Sequence, residues 1–346
     1  MTDVSDPVTK SGVTTRSRLL ANWRYVLRTS NSPAGRVDAV SRWLVITRAS
    51  VLPMTITAAA IAGLLAAFHD EHVRWGLFAL AAVGLVLAHV ANNLMNDLFD
   101  LEVGSDTDSY PRALYAPHPV LSGMISRRGL LTSAIVVNAA DLAILVVLLV
   151  FRGWPMVVFA LSGFVLSVAY TAPPLRLKKH GLGEATVLVV WGPLMVGGAY
   201  YAATGHFPFA IFVASLPYAL LCTAVLMGKH IDKIPWDAPD GTRTLPVLLG
   251  EAKARALTQG MMISFYVLVV LLVGTGTLPI AALIVLLALH KLATVWTPFS
   301  QPFCPTKFPV ERSIRVNSKR PDAPTGCHPA RSPAQSSLTS GKSPVA

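Results

Sequence analysis

The chain has 346 residues, of which 53% are hydrophobic and only 14% are charged. This composition excludes an ordinary soluble protein and indicates a chain that crosses a membrane several times. The formal net charge of +11 would suit nucleic-acid binding, but basic loops between membrane spans explain it better. Cys222, Cys304 and Cys327 lack metal-binding or disulfide spacing, so neither a zinc site nor a disulfide framework is predicted.

The amino-terminal segment, residues 1–41, is basic and has no apolar core of the kind found in signal peptides. We predict that it is a cytoplasmic arm. Residues 18–28 place leucines and Trp23 on one helical face with arginines elsewhere, a pattern that fits a short helix on an anionic membrane surface. A disordered arm fits the same residues equally well.

Residues 42–296 contain about eight apolar stretches, each near the roughly 20 residues needed to cross a bilayer. We therefore predict an all-α fold, in which these residues form one domain of bundled transmembrane helices. Very short connections join the third span to the fourth and the seventh to the eighth, which predicts antiparallel pairs. The predicted spans are Trp43–Phe68, Gly76–Phe99, Leu130–Phe151, Trp154–Thr171, Ala185–Ala203, Phe207–Met227, Leu257–Val273 and Leu278–Val295.

The distribution of lysine and arginine predicts the orientation of the bundle. These residues concentrate in the amino-terminal arm and in every second loop, whereas the alternate connections carry only Arg74 and Arg152. Positive loops stay on the cytoplasmic side, so both termini and the long loops are predicted to be cytoplasmic in a multi-pass protein of the inner (plasma) membrane. Arg48, inside the first span, is predicted to extend its side chain to the same interface.

The last segment, residues 297–346, differs sharply from the rest of the chain. It is rich in proline, serine, lysine and arginine and has little apolar periodicity. Such a composition cannot bury enough apolar surface to fold, so we predict a disordered basic tail.

An acidic cluster follows the second span. Asn93, Asn96, Asp97 and Asp100 are spaced three or four residues apart, so a continuing helix places them on one stripe. Carboxylates this close repel one another unless a cation lies between them, and the same repulsion predicts that removing one leaves folding nearly intact. Hard oxygen ligands suit Mg²⁺ bound together with phosphates. A solvated helix end and the ion pathway of a transporter are alternative readings.

A second acidic loop follows the sixth span and contains Asp232, Asp237 and Asp240. Both loops lie on the same predicted face of the membrane, so together they suit a metal–diphosphate complex held between them. Basic side chains on this face would neutralise phosphate oxygens as charge-assisted donors. The predicted diphosphate-binding residues are Arg112, Lys178, Lys179, Lys229 and Arg243.

Four motifs in this order resemble the UbiA superfamily of membrane aromatic prenyltransferases, over roughly residues 42–296. The spacing of the first motif is closest to the 1,4-dihydroxy-2-naphthoate prenyltransferase branch. The matching stretches are Asn96-Asp97-Leu98-Phe99-Asp100 with Gly104-Ser105-Asp106, then Val120–Ser126, Tyr170–Leu175 with Gly181–Glu184, and lastly Asp237, Gly241, Arg243, Thr244 and Leu245.

The resemblance implies Mg²⁺-dependent transfer of a polyprenyl group from polyprenyl diphosphate to an aromatic acceptor in the lipid bilayer, without nucleic acid. The acceptor it suggests is 1,4-dihydroxy-2-naphthoate, in menaquinone biosynthesis. By resemblance, the metal ligands are Asp97, Asp100, Asp106 and Asp237. The catalytic set adds Asn96 and Asp232 to these four.

The chain departs from the family pattern at several points. Lys233 stands where the first aspartate of the second motif is expected, with Asp232 one residue earlier, and His118 replaces an arginine. The family generally has nine spans, and the change in composition near Gln301 falls where a ninth is expected, so a truncated or frame-shifted end is one interpretation. A secondary transporter, or transfer of prenyl or sugar groups to a non-aromatic acceptor, are the alternative functions.

Overall fold

The computed structural model describes residues 15–33, 35, 37–102 and 117–300, and their regular structure is entirely helical. Two short helices precede the apolar helices, and three short ones interrupt or follow them. The helices are α1 Thr15–Thr29, α2 Ala39–Ile46, α3 Leu52–His69, α4 Trp75–Glu102, α5 Arg127–Arg152, α6 Pro155–Thr171, α7 Gly183–Thr204, α8 Phe209–Ile231, α9 Ile234–Asp237, α10 Leu245–Leu249, α11 Glu251–Gly274, the 3₁₀ helix Ile280–Ala288 and α12 Leu289–Ser300.

The prediction of an all-α membrane bundle is confirmed. Six described helices are long and apolar enough to cross a membrane, and α6 and the segment Ile280–Trp296 are shorter apolar helices. The first predicted span began too early, because Trp43 belongs to α2 and the chain turns at Arg48 in the left-handed region (φ 52°) before α3. The last helix runs to Ser300, four residues beyond the predicted limit of the bundle. The tail from residue 301 lies outside the described residues.

The outer surface of the bundle is apolar on α5 and α6. Val150, Phe151, Leu161 and Phe164 are more than half or nearly half exposed, with Val150 at 74%. A patch of this size would be costly in water, and it is the expected surface of helices that face lipid hydrocarbon. The antiparallel pair predicted here is observed, since only Gly153 and Trp154 separate these two helices.

The interior between α3 and α7 is built from small side chains. Ala58, Ala62 and Ala66 of α3 are completely buried, and they pack in one cluster with Ala199 and Ala203 of α7. Small residues let helix backbones approach closely, which is how membrane helices gain contact energy when lipid is as apolar as their side chains. This packing fixes the positions of the helix ends that carry the polar residues.

Part of the amino-terminal segment is helical, since α1 covers Thr15–Thr29 and α2 begins at Ala39, whereas the described residues between them form no regular structure. α1 is tied to α2 because Trp23 Nε1 donates to Asp38 Oδ1 at 3.0 Å, and Asp38 also caps α2 by accepting from the Ser41 amide at 2.9 Å. Burial opposes ionisation of Asp38, but these hydrogen bonds and that of the Ser41 hydroxyl outweigh it and hold the pKa of the carboxyl well below its usual range.

A π-helical turn, Val190–Leu194, interrupts α7 at Pro193. Such turns arise where a proline removes a backbone donor. At this turn α8 approaches so closely that a Cβ on Gly192 would lie 2.8 Å from the Cβ of Ala219. The absence of a side chain at Gly192 therefore sets the distance between α7 and α8.

Gly192→Ala is expected to lower the free energy of unfolding by about 1–3 kcal/mol, since the added methyl group overpacks a close helix contact. The matched control is Gly163→Ala in α6, where a Cβ would meet nothing within 4 Å. This control should leave stability unchanged or slightly raised, because alanine is the better helix former. Thermal unfolding of both purified variants in detergent is the measurement, and equal midpoints would contradict the packing argument.

Candidate active site

A polar cavity lies at one end of the bundle, where four separate parts of the chain meet. They are Arg48 in the turn before α3, the end of α4, the end of α6 with the loop before α7, and the end of α8 with the segment that follows. The cavity encloses about 720 Å³, including its opening to solvent. Its lining residues are Arg48, Asn96, Asp100, Tyr170, Thr171, Lys178, Lys179, Lys229, His230, Lys233, Asp237, Asp240, Thr242 and Thr244.

The first acidic cluster faces this cavity through one side of α4. Lys178 Nζ donates to Asp100 Oδ1 at 2.6 Å, and Thr171 Oγ1 donates to Asn96 Oδ1 at 2.6 Å. Asn96 and Asp100 are one turn apart on the same stripe, as the spacing predicts. Both contacts join α4 to α6 or to the loop after it, so the polar residues of these elements are held in fixed positions.

Asp97 follows Asn96 in α4, and its side chain is completely buried. It forms an ion pair with Arg48, which lines the cavity instead of extending to the interface as predicted. The left-handed backbone at Arg48 turns the chain back towards α4, and Asn93 Nδ2 donates to the Thr47 carbonyl at 3.1 Å. Because Arg48 offsets its charge, we expect the loss of Asp97 to lower stability, whereas repulsion alone predicts that its removal leaves folding nearly intact.

His118, which replaces an arginine of the family pattern, contacts the last part of α4 from a position outside the cavity. Its Nδ1 accepts from the Val120 amide at 3.2 Å, which places the proton on Nε2, and Nε2 donates to the Asp97 carbonyl at 3.0 Å. His118 is buried, and it is not among the residues that line the cavity. Within the described residues, its contacts are therefore with the backbone.

The second acidic loop contributes Asp237, which is 4% exposed and lines the cavity, and the more exposed Asp240. Asp232 is exposed and is not among the lining residues, so the structure does not place it in the site. Lys233 is there instead, at 8% exposure. The reason is that Asp232 and Lys233 form the turn between α8 and α9, and this turn exposes the first side chain and buries the second.

Three of the predicted diphosphate-binding residues, Lys178, Lys179 and Lys229, line the cavity. Arg243 is exposed and outside it, and its amide donates to the Lys179 carbonyl at 3.1 Å, so its backbone positions this loop. Asp106 and Arg112 lie outside the described residues. The cations that the sequence reasoning missed are Arg48 and Lys233. The signal for Arg48 was a charge within an apolar run, which usually marks function.

A buried Glu184–His230 pair was also missed. His230 Nδ1 lies 2.7 Å from Glu184 Oε1, and the two residues are 6% and 2% exposed. Glu184 begins α7 and His230 ends α8, and these helices pack together. His230 lines the cavity, whereas Glu184 is not among the lining residues. No sequence pattern indicates this pairing, because the two residues are 46 positions apart.

The chemistry of the donor set fits Mg²⁺. Carboxylate oxygens of Asp100 and Asp237 and the amide oxygen of Asn96 line one cavity, and Mg²⁺ prefers such hard oxygen ligands. No three acidic, histidine or cysteine residues of the described chain lie close enough to hold a metal by themselves. Mg²⁺ usually takes one or two carboxylates together with substrate phosphates, so this arrangement suits a metal that arrives with a diphosphate.

The sequence matches the family model of the UbiA prenyltransferase family over residues 55–304. It is 29% identical to the 1,4-dihydroxy-2-naphthoate octaprenyltransferase of Escherichia coli over 74% of this chain and 80% of the relative. It is 31% identical to the digeranylgeranylglyceryl phosphate synthase of Natronomonas pharaonis, over 65% of this chain and 76% of that protein.

Solved structures share the fold. A UbiA homologue from Archaeoglobus fulgidus bound to GPP and Mg²⁺ superposes with a TM-score of 0.54 at 16% identity, covering 75% of this chain and 87% of the homologue. The same homologue bound to Cd²⁺ gives a TM-score of 0.55 at 14% identity, covering 75% and 88%. At this identity the likeness concerns the arrangement of helices.

Proposed function

Because the chain belongs to the UbiA prenyltransferase family and is a membrane prenyltransferase, we propose that it transfers a polyprenyl group from polyprenyl diphosphate to an aromatic acceptor. The observation that carries this proposal is the single cavity in which Asp100, Asp237 and Lys178 meet from three parts of the chain. A site for ion transport would not need this combination of carboxylates and lysines at one end of the bundle, so the transporter reading is not retained.

The donor's diphosphate suits the cations of this cavity. Lys178, Lys179 and Lys229 line it, together with the unpredicted Arg48 and Lys233. Each provides N–H donors for phosphate oxygens, and such charge-assisted hydrogen bonds are about twice as strong as neutral ones. The apolar tail of the donor would extend from the cavity along the lipid-exposed helices, which accounts for a transferase built into a membrane.

The residues that would hold Mg²⁺ are Asp100 and Asp237, with Asn96 beside them. When bound, Mg²⁺ supplies positive charge that stabilises the departing diphosphate. Asp100 is now paired with Lys178, so Lys178 is free to turn to phosphate when another cation balances the carboxylate. The lysines remain to neutralise the leaving group as the carbon–oxygen bond breaks, and this is electrostatic stabilisation by groups already in place.

Among aromatic acceptors, we propose 1,4-dihydroxy-2-naphthoate, as in menaquinone biosynthesis. The support is the spacing of the first motif and the similarity to the octaprenyltransferase of Escherichia coli. A glyceryl phosphate acceptor is the second candidate, because the chain is also 31% identical to a digeranylgeranylglyceryl phosphate synthase. The anionic groups of either acceptor suit the net positive lining.

We further propose that the protein lies in the inner (plasma) membrane with the cavity on the cytoplasmic side. The cavity is formed by Arg48 and by the ends of the predicted cytoplasmic loops. Those loops are rich in lysine and arginine, whereas the alternate connections carry only Arg74 and Arg152, and this difference favours retention of the loops on the cytoplasmic side.

A competition assay is expected to give a prenylated naphthoate as the main product. Purified protein would receive one labelled polyprenyl diphosphate, Mg²⁺ and equal amounts of 1,4-dihydroxy-2-naphthoate, 4-hydroxybenzoate, homogentisate and glycerol-1-phosphate derivatives. EDTA should abolish every product, because the carboxylates would then lack the cation that joins them to diphosphate. Transfer to the glyceryl acceptor alone would refute the aromatic assignment, and transfer that survives EDTA would refute the metal.

A further inference from the structure

The Glu184–His230 pair has a geometry that its surroundings alone do not explain. Glu184 is 2% exposed, and its second oxygen, Oε2, is buried without a hydrogen-bond partner among the described residues. An unsatisfied buried carboxylate oxygen is costly. The charge of this carboxylate is thus directed at one partner, the imidazole of His230, 2.7 Å from Oε1.

The hydrogen bond also decides which nitrogen of His230 carries the proton. A carboxylate only accepts, so Nδ1 donates to Glu184 Oε1 and the neutral ring has its lone pair on Nε2. The structure gives Nε2 no protein partner within the described residues, and His230 lines the cavity. A carboxylate behind an imidazole, with the second nitrogen presented to the substrate space, is the arrangement of a general base.

We propose that His230 accepts the hydroxyl proton of the aromatic acceptor during prenyl transfer and that Glu184 is its positioning residue; this rests on the function proposed above. In this step the acceptor O–H bond breaks and its electron pair moves into the ring. The ring carbon forms a bond to the allylic carbon of the donor, whose bond to the diphosphate oxygen breaks with the electrons leaving on diphosphate. The proton ends on His230 Nε2 and passes to solvent through the open cavity.

The charged neighbours of His230 link proton acceptance by its imidazole to binding of the donor. Lys229 and Lys233, on either side of it along the chain, act on the imidazole with positive charge, and Glu184 opposes them from α7. Asp100, Asp237 and Lys178 line the same cavity from the other elements. Diphosphate bound to the lysines would offset their charge, so His230 becomes the better proton acceptor when the donor is in place.

The experiment compares turnover of His230→Gln, Glu184→Gln and unaltered protein across aromatic acceptors whose hydroxyl groups differ in acidity. With acceptors that are protonated at the assay pH, His230→Gln is expected to lose about 100-fold in kcat. With acceptors already ionised in solution the loss should nearly vanish, since no proton remains to be removed. Glu184→Gln should show the same trend to a smaller extent, because an amide can hold the wrong tautomer of the ring.

Three measurements keep the outcome unambiguous. Thermal unfolding and binding of a non-reactive prenyl thiodiphosphate should be unchanged in the variants, and the control His290→Gln alters an exposed histidine outside the cavity. If His230→Gln does not fold, the comparison across acceptors is made with Glu184→Gln instead, and its result decides the proposal. The assignment of His230 as the base is refuted if the variants and the unaltered protein have equal turnover, or if the loss is the same for every acceptor. Unaltered protein that prenylates no aromatic acceptor instead refutes the proposed function, and this inference with it.

Discussion

Asp100→Asn and Asp237→Asn are each expected to lower kcat by at least about 100-fold, the usual loss when one preorganised electrostatic group is removed from a site. Both side chains line the cavity, from α4 and from the loop after α8. An amide keeps the shape of the carboxylate but lacks the negative charge that a divalent cation requires. The measurement is single-turnover prenyl transfer at saturating donor and Mg²⁺, with thermal unfolding as the check on folding.

Asp232→Asn is the matched control for this experiment. It removes a carboxylate from the same acidic loop, but its side chain is exposed and outside the cavity. Activity should therefore remain close to that of the unaltered protein. If Asp232→Asn were inactive while Asp237→Asn kept full turnover, the arrangement described here would be wrong.

Asp97→Ala is expected to destabilise the protein by about 3–5 kcal/mol, the cost of leaving one member of a buried ion pair without the other. Asp97 is completely buried, and its partner Arg48 is largely buried as well. The change would leave the guanidinium of Arg48 in a space from which water is mostly excluded. The midpoint of thermal unfolding in detergent should fall clearly below that of Asp100→Asn, because the Asp100 side chain is 11% exposed whereas that of Asp97 is completely buried.

A double variant separates the charge effect from lost packing. Arg48→Met with Asp97→Leu removes both charges and keeps apolar volume, so most of the stability should return, since apolar replacements of buried ion pairs are often neutral. Turnover should not return, because Arg48 lines the cavity. If the double variant is as unstable as Asp97→Ala, packing rather than charge decides the contribution of Asp97.

Much of the site was predictable because its signals are local. Asn96 and Asp100 lie one turn apart, and the helical period alone places them on one stripe. Asp237 was identified by resemblance to a motif, and Lys178 and Lys179 were identified as basic residues on the same predicted face of the membrane. The structure brings all three to the cavity. Their grouping required only that the ends of α4, α6 and α8 lie on the same side of the bundle, which the alternation of basic loops indicates.

The rest was decided at distances that a sequence pattern does not encode. Arg48 and Asp97 are 49 residues apart, and Glu184 and His230 are 46. Each pair joins elements that are distant in the sequence and meet only in the folded chain, the turn at Arg48 with α4 and the start of α7 with the end of α8. The motif spacing alone also left open whether Asp232 or Lys233 faces the cavity.

The sequence by itself determined that this protein is an all-α membrane bundle, the order of its spans, and the end at which its acidic and basic residues lie. These follow from hydropathy and from the 3.6-residue period, which depend on neighbouring residues only. Only the tertiary structure decided which carboxylates are paired with cations and which face the cavity. Burial makes an unpaired charge costly, so the packing of distant helices selects the partner of each charge. The turn between α8 and α9 buries Lys233 and exposes Asp232.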